Sequence, residues 1–326
     1  MRNTALGLVL LAALPLAAQN LTNAHVTTVR ASADLGAQVL AAAGWVGYSV
    51  PAAANFRGNE CSNCSLAENH GDYYTDSRTP HLATDSMILY RVAAGAIERI
   101  RVYSTSCSVD GDGLGVTWIQ NVDPKVSIRF LESQVGGTHH QVLAAIASHA
   151  DESATDVLER FAHSDRTTGF RGDALFWLGI ARGHRGYEIV RSITTDAKEP
   201  GALREKGVFA MMQSHQPEAI DDLLSIAKHD ETPHVRGQAL FWLSQAAGKK
   251  AAAALRDAVD NDPDSSVKEK AIFGISQLPD DQSIPLLAEL MRSHRSTSVR
   301  KKAAFWLGQK NDPRAVAAIE EFLRQP

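Results

Sequence analysis

Five side chains carry most of the chemistry that this sequence offers: Cys61, Cys64, Cys107, His70 and His81. In an oxidising compartment cysteines pair, and an odd count leaves one over. A bridge from Cys61 or Cys64 to Cys107 would close a loop of about 40 residues, worth roughly 3–4 kcal/mol. Two functional readings stand beside that staple. Cys61-x-x-Cys64 has the spacing of a redox dithiol, but such pairs open a helix in a βαβ setting, and the neighbours here are Asn, Glu and Ser. Cys61, Cys64 and Cys107 with His70 or His81 would also make a tetrahedral zinc set, although one CxxC with distant further ligands is a weak signal. Asp110-Gly-Asp112-Gly begins like a calcium loop, yet no glutamate closes it, so it reads as a turn. His139-His140 stands at a helix start, where surface histidines are common. Spacing supports no Ser-His-Asp set, phosphate loop or H-E-x-x-H motif, so no catalytic residue and no cofactor is expected.

The elements that would hold these residues lie in residues 20–137, read as a small α+β domain. Ala31 to Ala43 is Ala-rich and predicts a helix ending at Gly44, followed by a strand over Trp45 to Pro51. Pro51 to Thr84, rich in Asn, Gly, Ser, Asp and His, predicts a long loop. Met87-ILYRV, the turn at Ala93-Ala-Gly-Ala and Glu98-RIRVYS predict a β-hairpin with Ile100 and Val102 inward and Arg99 and Arg101 in water. Gly115-VTWIQ and Val126-SIRFL predict two more strands of a mostly antiparallel sheet.

Residues 1–18, MRNTALGLVLLAALPLAA, have the pattern of a secretory signal peptide: an early cation, a short apolar run, then small residues. A secreted or periplasmic protein is the expectation, with no membrane span in the mature chain. The 326 residues suffice for two domains, and 44% hydrophobic residues can build a core. A formal net charge of -4 argues against nucleic acid as partner.

From Arg171 onward one block recurs. Arg171-GDALFWLGI, Arg204-EKGVFAMMQ, Arg236-GQALFWLSQ, Lys268-EKAIFGISQ and Arg300-KKAAFWLGQ start 33, 32, 32 and 32 residues apart. A fainter copy begins near His139. Within one copy, Val235, Ala239, Trp242 and Leu243 share a helix face, and Ala252, Leu255, Ala258 and Val259 mark a second helix. Neither helix buries its stripe alone, so residues 138–326 predict about six helix pairs stacked as an α-solenoid.

Three rows run along that stack. Asp165, Asp230 and Asp262 precede Arg171, Arg236 and Lys268 by six places, predicting a partly exposed ladder worth about 0.2–1 kcal/mol per pair. The residue after each Phe alternates Trp177, Ala210, Trp242, Gly274, Trp306, a trade of large for small suited to core packing. Phe176, Phe209, Phe241, Phe273 and Phe305 lie away from the main stripe, with Gln213, Gln245, Gln277 and Gln309 four residues on. These rings either pack on the adjacent repeat's helix or form an aromatic-and-amide strip that docks a partner.

The pattern V-R-x-x-A-x-x-W-L-G-Q, a turn, then A-[VI]-x-x-L-x-x-x-L, clearest over Val299 to Leu323, resembles the short bacterial HEAT-like repeats, including those of the phycobilin lyase-type subgroup. That resemblance implies a protein-binding scaffold without a transferable catalytic motif. The N-terminal region is similar to the front end of secreted bacterial HEAT proteins. The rival expectation is an enzyme, metal-binding or thiol-redox protein with its site in the N-terminal Cys/His loop.

Overall fold

The computed structural model describes residues 20–56, 64–67, 84–136, 139–246 and 249–324. Residues 1–18, where a signal peptide is expected, and Cys61, His70 and His81 lie outside them. The chain divides into two compact units, Met1–Val157 and Leu158–Pro326. The first helix of the faint sixth copy therefore falls with the first unit, not with the repeats.

The first unit holds β1 (Leu21–Thr22), β2 (His25–Arg30), α1 (Leu35–Leu40), β3 (Gly44–Pro51), β4 (Cys64–Ser65), β5 (Asp85–Ala93), β6 (Ala96–Ser104), β7 (Val109–Asp110), β8 (Gly115–Gln120), α2 (Pro124–Ser133) and α3 (His139–Ala147). Its main sheet has the order β2-β8-β3-β5-β6. The hairpin β5–β6 forms as expected, turning on Ala94 and Gly95 with φ of 50° and 75°, the positive pair that a two-residue hairpin loop requires. The sheet is mixed, however, and not antiparallel throughout: β2 and β3 both run parallel to β8. Such pairing needs long crossovers, which no local pattern announces.

Val126 to Leu131 is helix, not strand. Asp123 caps α2 by accepting from the amides of Lys125 and Val126, and Pro124 occupies the first turn, where a missing N–H costs nothing. Ser127, Ile128 and Leu131 then form a buried helical stripe.

Both faces of the main sheet are covered. On one, Trp45, Met87, Leu89, Tyr103, Val116 and Trp118 meet Leu21, Leu66, Cys107 and Val109 from a small all-parallel sheet of order β1-β7-β4 and its flanks. That cover reverses the expectation for Arg101, which is 3% exposed, lies 5.5 Å over the Trp45 ring and donates to the Ser65 carbonyl. The opposite face carries Tyr48, Ile88, Tyr90 and Ile100 and packs against the helices, with Tyr90 and Phe130 rings 5.8 Å apart.

After α4 (Ser153–Ala162), the second unit consists of helix pairs: α5 (Thr168–Ala181) with α6 (Gly183–Thr195), α7 (Gly201–Gln213) with α8 (Ala219–His229), α9 (Pro233–Ala246) with α10 (Lys249–Asn261), α11 (Ser265–Gln277) with α12 (Asp280–Ser293), and α13 (Thr297–Gly308) with α14 (Pro313–Arg324). First helices stack on first helices, α5 on α7 on α9 on α11 on α13. The inner ones are each enclosed by two neighbours and their own partner, so α9 buries Val235, Arg236, Gly237, Ala239, Leu240, Leu243 and Ser244 around most of its girth. The second helices keep a one-sided stripe, as in α12 with Ile284, Leu287, Ala288, Leu290 and Met291.

Two kinds of first helix alternate from α5 to α11. Gly172 and Gly237 begin one kind; the stems of Lys206 and Lys270, from the following helices, lie across them where any Cβ would collide. The glycines thus serve close approach between repeats.

Candidate functional site

Of the N-terminal chemistry, Cys64 and Cys107 lie within the described residues. Cys107 is 4% exposed in the apolar cluster on which Cys64 also packs. Among the described residues no disulfide reaches Cys107, against the expected staple. Cys64 does not provide one because it is itself disulfide-bonded, and the register keeps it apart from Cys107. Cys64 stands opposite Val109, two residues beyond Cys107, and two strand residues span about 6–7 Å. Among the described residues, no group of three His, Cys, Asp or Glu is arranged to hold a metal. The remaining zinc and dithiol candidates, Cys61, His70 and His81, fall outside those residues, as does the side chain of His139; His140 is exposed. Asp112 sits in a turn with φ of 53° and accepts from the Ala67 amide at 2.9 Å and from the Ser65 hydroxyl, which hold its carboxyl below the usual range.

A buried polar chain was not legible in the sequence. Tyr48, Tyr90, Ser127 and His149 are all 0% exposed. His149 Nδ1 is 2.8 Å from the Ala145 carbonyl, an acceptor only, so this nitrogen carries the proton. In the neutral ring Nε2 then accepts from Ser127 Oγ at 2.8 Å, which accepts from Tyr48 at 2.7 Å, which accepts from Tyr90 at 2.5 Å. The chain ties α2 and the end of α3 to the sheet. Burial pushes the Tyr48 phenol up to about 12, and burial with the neighbouring Tyr48 holds Tyr90 well above 10. Both folded values exceed the unfolded one near 10. Their contribution is therefore complete below about pH 10 and is lost as pH rises through the folded values. Near-ultraviolet melts of the full chain are expected to lose stability above about pH 10, and Tyr90→Phe to reduce that loss.

In the repeats a ladder forms over two rungs, but it joins each aspartate to the cation of the preceding copy, not the one six places on, and it is buried. Arg204 pairs with Asp230 at side-chain exposures of 3% and 4%, and Arg236 with Asp262 at 8% and 6%. The Arg236 contact is bidentate, at 2.7 and 2.9 Å, and the Asp262 hydrogen bond raises the guanidinium above its ordinary range. Arg204 and Arg236 thus take the aspartate of the turn that follows, and Arg236 also donates back to Asp230 O at 2.8 Å. Arg171 takes Glu199 instead, and Asp165 is exposed. The next rung substitutes both partners: Lys268 donates to the Val259 and Asp260 carbonyls, and His294 occupies the aspartate's place.

The Phe row forms one aromatic strip. Phe176 and Phe209 stack at 5.7 Å and 9°, and Phe241 and Phe273 at 6.3 Å and 4°. Trp242 reaches back to Phe209 at 4.8 Å and Trp306 to Phe273 at 5.1 Å, so indoles bridge the rungs. Phe176, Phe209, Phe241 and Phe273 are half-buried; Phe305 is 56% exposed. Gln213 is half-buried beside the strip, and Gln245, Gln277 and Gln309 are exposed. Gln245 and Gln277 donate to Ser244 and Ser276, whose hydroxyls bind the Phe241 and Phe273 carbonyls at 2.6 Å. The side-chain carbonyls of these two glutamines remain available as acceptors beside the rings. Behind the strip, the alanine run of α10 leaves an opening of about 740 Å³ lined by Leu224, Lys228, Lys250, Ala253 and Ala254.

These features define a helical-repeat protein. Residues 191–276 and 257–326 match the family described as HEAT repeats. No curated protein matches the sequence. Similar solved structures include human deoxyhypusine hydroxylase in complex with glycerol, at 19% identity over 62% of this chain and 79% of the other, TM-score 0.28. Another is the CpcE–CpcF complex of phycocyanin lyase from Nostoc sp. PCC7120, at 23% identity, 48% and 99% coverage and TM-score 0.36. A third is the Escherichia coli protein YibA, at 16% identity, 62% and 87% coverage and TM-score 0.34. No helix among the described residues is long and apolar enough to cross a membrane.

Proposed function

We propose that this is a non-enzymatic protein-interaction scaffold of the cell envelope or secreted fraction, which docks a protein partner along the Phe176–Phe305 strip. The observation that carries the reading is the strip itself: stacked rings left half-exposed over successive rungs, with exposed amides beside them. Scattered surface aromatics need no explanation, whereas a contiguous apolar row on a wet face marks an interaction site. The leader at residues 1–18 supports the extracytoplasmic assignment.

Replacing Phe209 and Phe241 together by Ser tests it. Each ring loses stacking worth about 0.5–1.5 kcal/mol, so the array is expected to stay folded. Affinity capture with the full chain from the native envelope fraction is expected to lose a partner that the wild type retains, while the helical circular dichroism melt shows a folded protein. Retained capture by the double variant, or capture that needs only the first unit, would count against the strip.

A further inference from the structure

The repeat array is fastened differently on its two sides. First helices pack backbone to backbone: a Cβ at Gly179 would stand 2.5 Å from the Ala210 carbonyl oxygen. The buried Arg204–Asp230 and Arg236–Asp262 pairs then tie α7 and α9 to the turns that follow. Second helices are stacked loosely. α8 meets α10 and α12 meets α14, but the backbones of α6 and α8, and of α10 and α12, hardly approach one another. An opening of about 270 Å³ beside Thr195, Ser225 and His229 separates α6 from α8, and the 740 Å³ opening separates α8 from α10. Each is also lined by one of the buried pairs, Arg204 with Asp230 and Arg236 with Asp262.

What joins the second helices is a run of ion pairs, one across each gap. Arg191 of α6 meets Asp222 of α8 at 2.8 Å, and Asp221 of α8 meets Lys250 of α10 at 2.7 Å. Arg256 of α10 meets Glu289 of α12 at 2.9 Å, and Arg292 of α12 meets Glu321 of α14 at 3.3 Å. The adjacent acids Asp221 and Asp222 face opposite neighbours, so α8 is held from both sides. In every pair at least one partner is exposed. Exposed pairs are weak and lose strength as salt rises, whereas buried ones are screened much less. Lys302 with Glu269 also joins two first helices, α11 and α13, but adds to backbones already in contact.

We infer that the four pairs across the second helices are salt-released clasps. The array bends about its first helices, drawn together on the second-helix side in low salt and opened there in high salt. The weakness of each clasp makes it a switch, because a joint held by little more than thermal energy populates both states.

Double electron–electron resonance on the full chain tests this, with nitroxides carried on ketone-bearing residues so that the native cysteines stay untouched. One pair of labels replaces Ser192 on α6 and Ala317 on α14; the other replaces Ala202 on α7 and Ser298 on α13; all four sites are exposed. Taking salt from about 0.01 M to about 1 M shortens the screening length from about 30 Å to about 3 Å. The α6–α14 distance is expected to lengthen by roughly 4–8 Å, at about 1–2 Å for each of the four joints, while the α7–α13 distance holds. Asp221→Asn, Glu289→Gln and Glu321→Gln combined should bring most of that lengthening at low salt, with the helical circular dichroism of a folded array. Distances that ignore salt, or that lengthen together on both sides, overturn the inference. A triple variant that keeps the wild-type distance and salt response overturns it too.

Discussion

Asp262→Ala is expected to lower the stability of the repeat array by about 3–5 kcal/mol, read from urea unfolding of the full chain by helical circular dichroism. The carboxylate meets two guanidinium nitrogens and also accepts from the Asp264 amide at 2.8 Å. Its removal leaves the Arg236 cation in a site 8% exposed, without its ion pair and hydrogen-bonded to the Asp230 and Glu231 carbonyls. The cost is large because the surviving charge has no solvent to return to. Asp221→Ala provides the contrast: its pair with Lys250 is 69% and 68% exposed, and its loss should cost about 1 kcal/mol at most. Arg236→Met combined with Asp262→Leu removes both charges and should recover most of the stability. Equal effects from the buried and exposed pairs would show that the ladder does not hold the stack.

Ser127→Ala should destabilise the first unit by about 2–6 kcal/mol, since two buried groups lose partners at about 1–3 kcal/mol each. The hydroxyl is the link through which the tyrosine pair reaches His149. Without it, one phenol proton on the sheet side and one ring nitrogen on the helix side lose a hydrogen bond far from water. Tyr90→Phe removes only the end of the same chain and should cost about 1 kcal/mol. The two variants are compared by near-ultraviolet melts. A Ser127→Ala protein no weaker than Tyr90→Phe would mean that water or a rearranged side chain fills the gap.

The repeats were readable in the sequence because their signal is local and reiterated: the same Phe, the same basic start and the same stripe return at one period. Burial of the ladder was not. Exposure at Asp230 and Asp262 is decided by helices that neighbouring repeats bring in, and one repeat's pattern cannot report it. In the first unit the reading failed where two signals conflicted. Val126, Ile128 and Phe130 alternate like a strand, but Asp123-Pro124 is a helix start, and the cap decided the outcome. The small sheet that hides Arg101 is made of two-residue strands, too short to leave any periodicity. The Tyr48–Ser127 bond spans 79 residues, so composition gives no hint of it. Of the proposed site, the Phe and Gln rows were legible as rows, whereas the ring-on-ring stacking emerged only with the helices in place.

Glycine-led and lysine-bearing helices alternate from α5 to α11, which gives this stretch a parity; α13 breaks it with Lys301 and Lys302. Gly172 accepts the stem of Lys206, and Gly237 that of Lys270, so α5 is shaped for α7 and α9 for α11. Excising α7 and α8 alone would set one glycine-led helix against another, whereas excising α7 to α10 would set Gly172 against the helix that carries Lys270. Tolerated shortening within this stretch should therefore come in steps of two copies, whether made by recombination in a genome or by design at the bench.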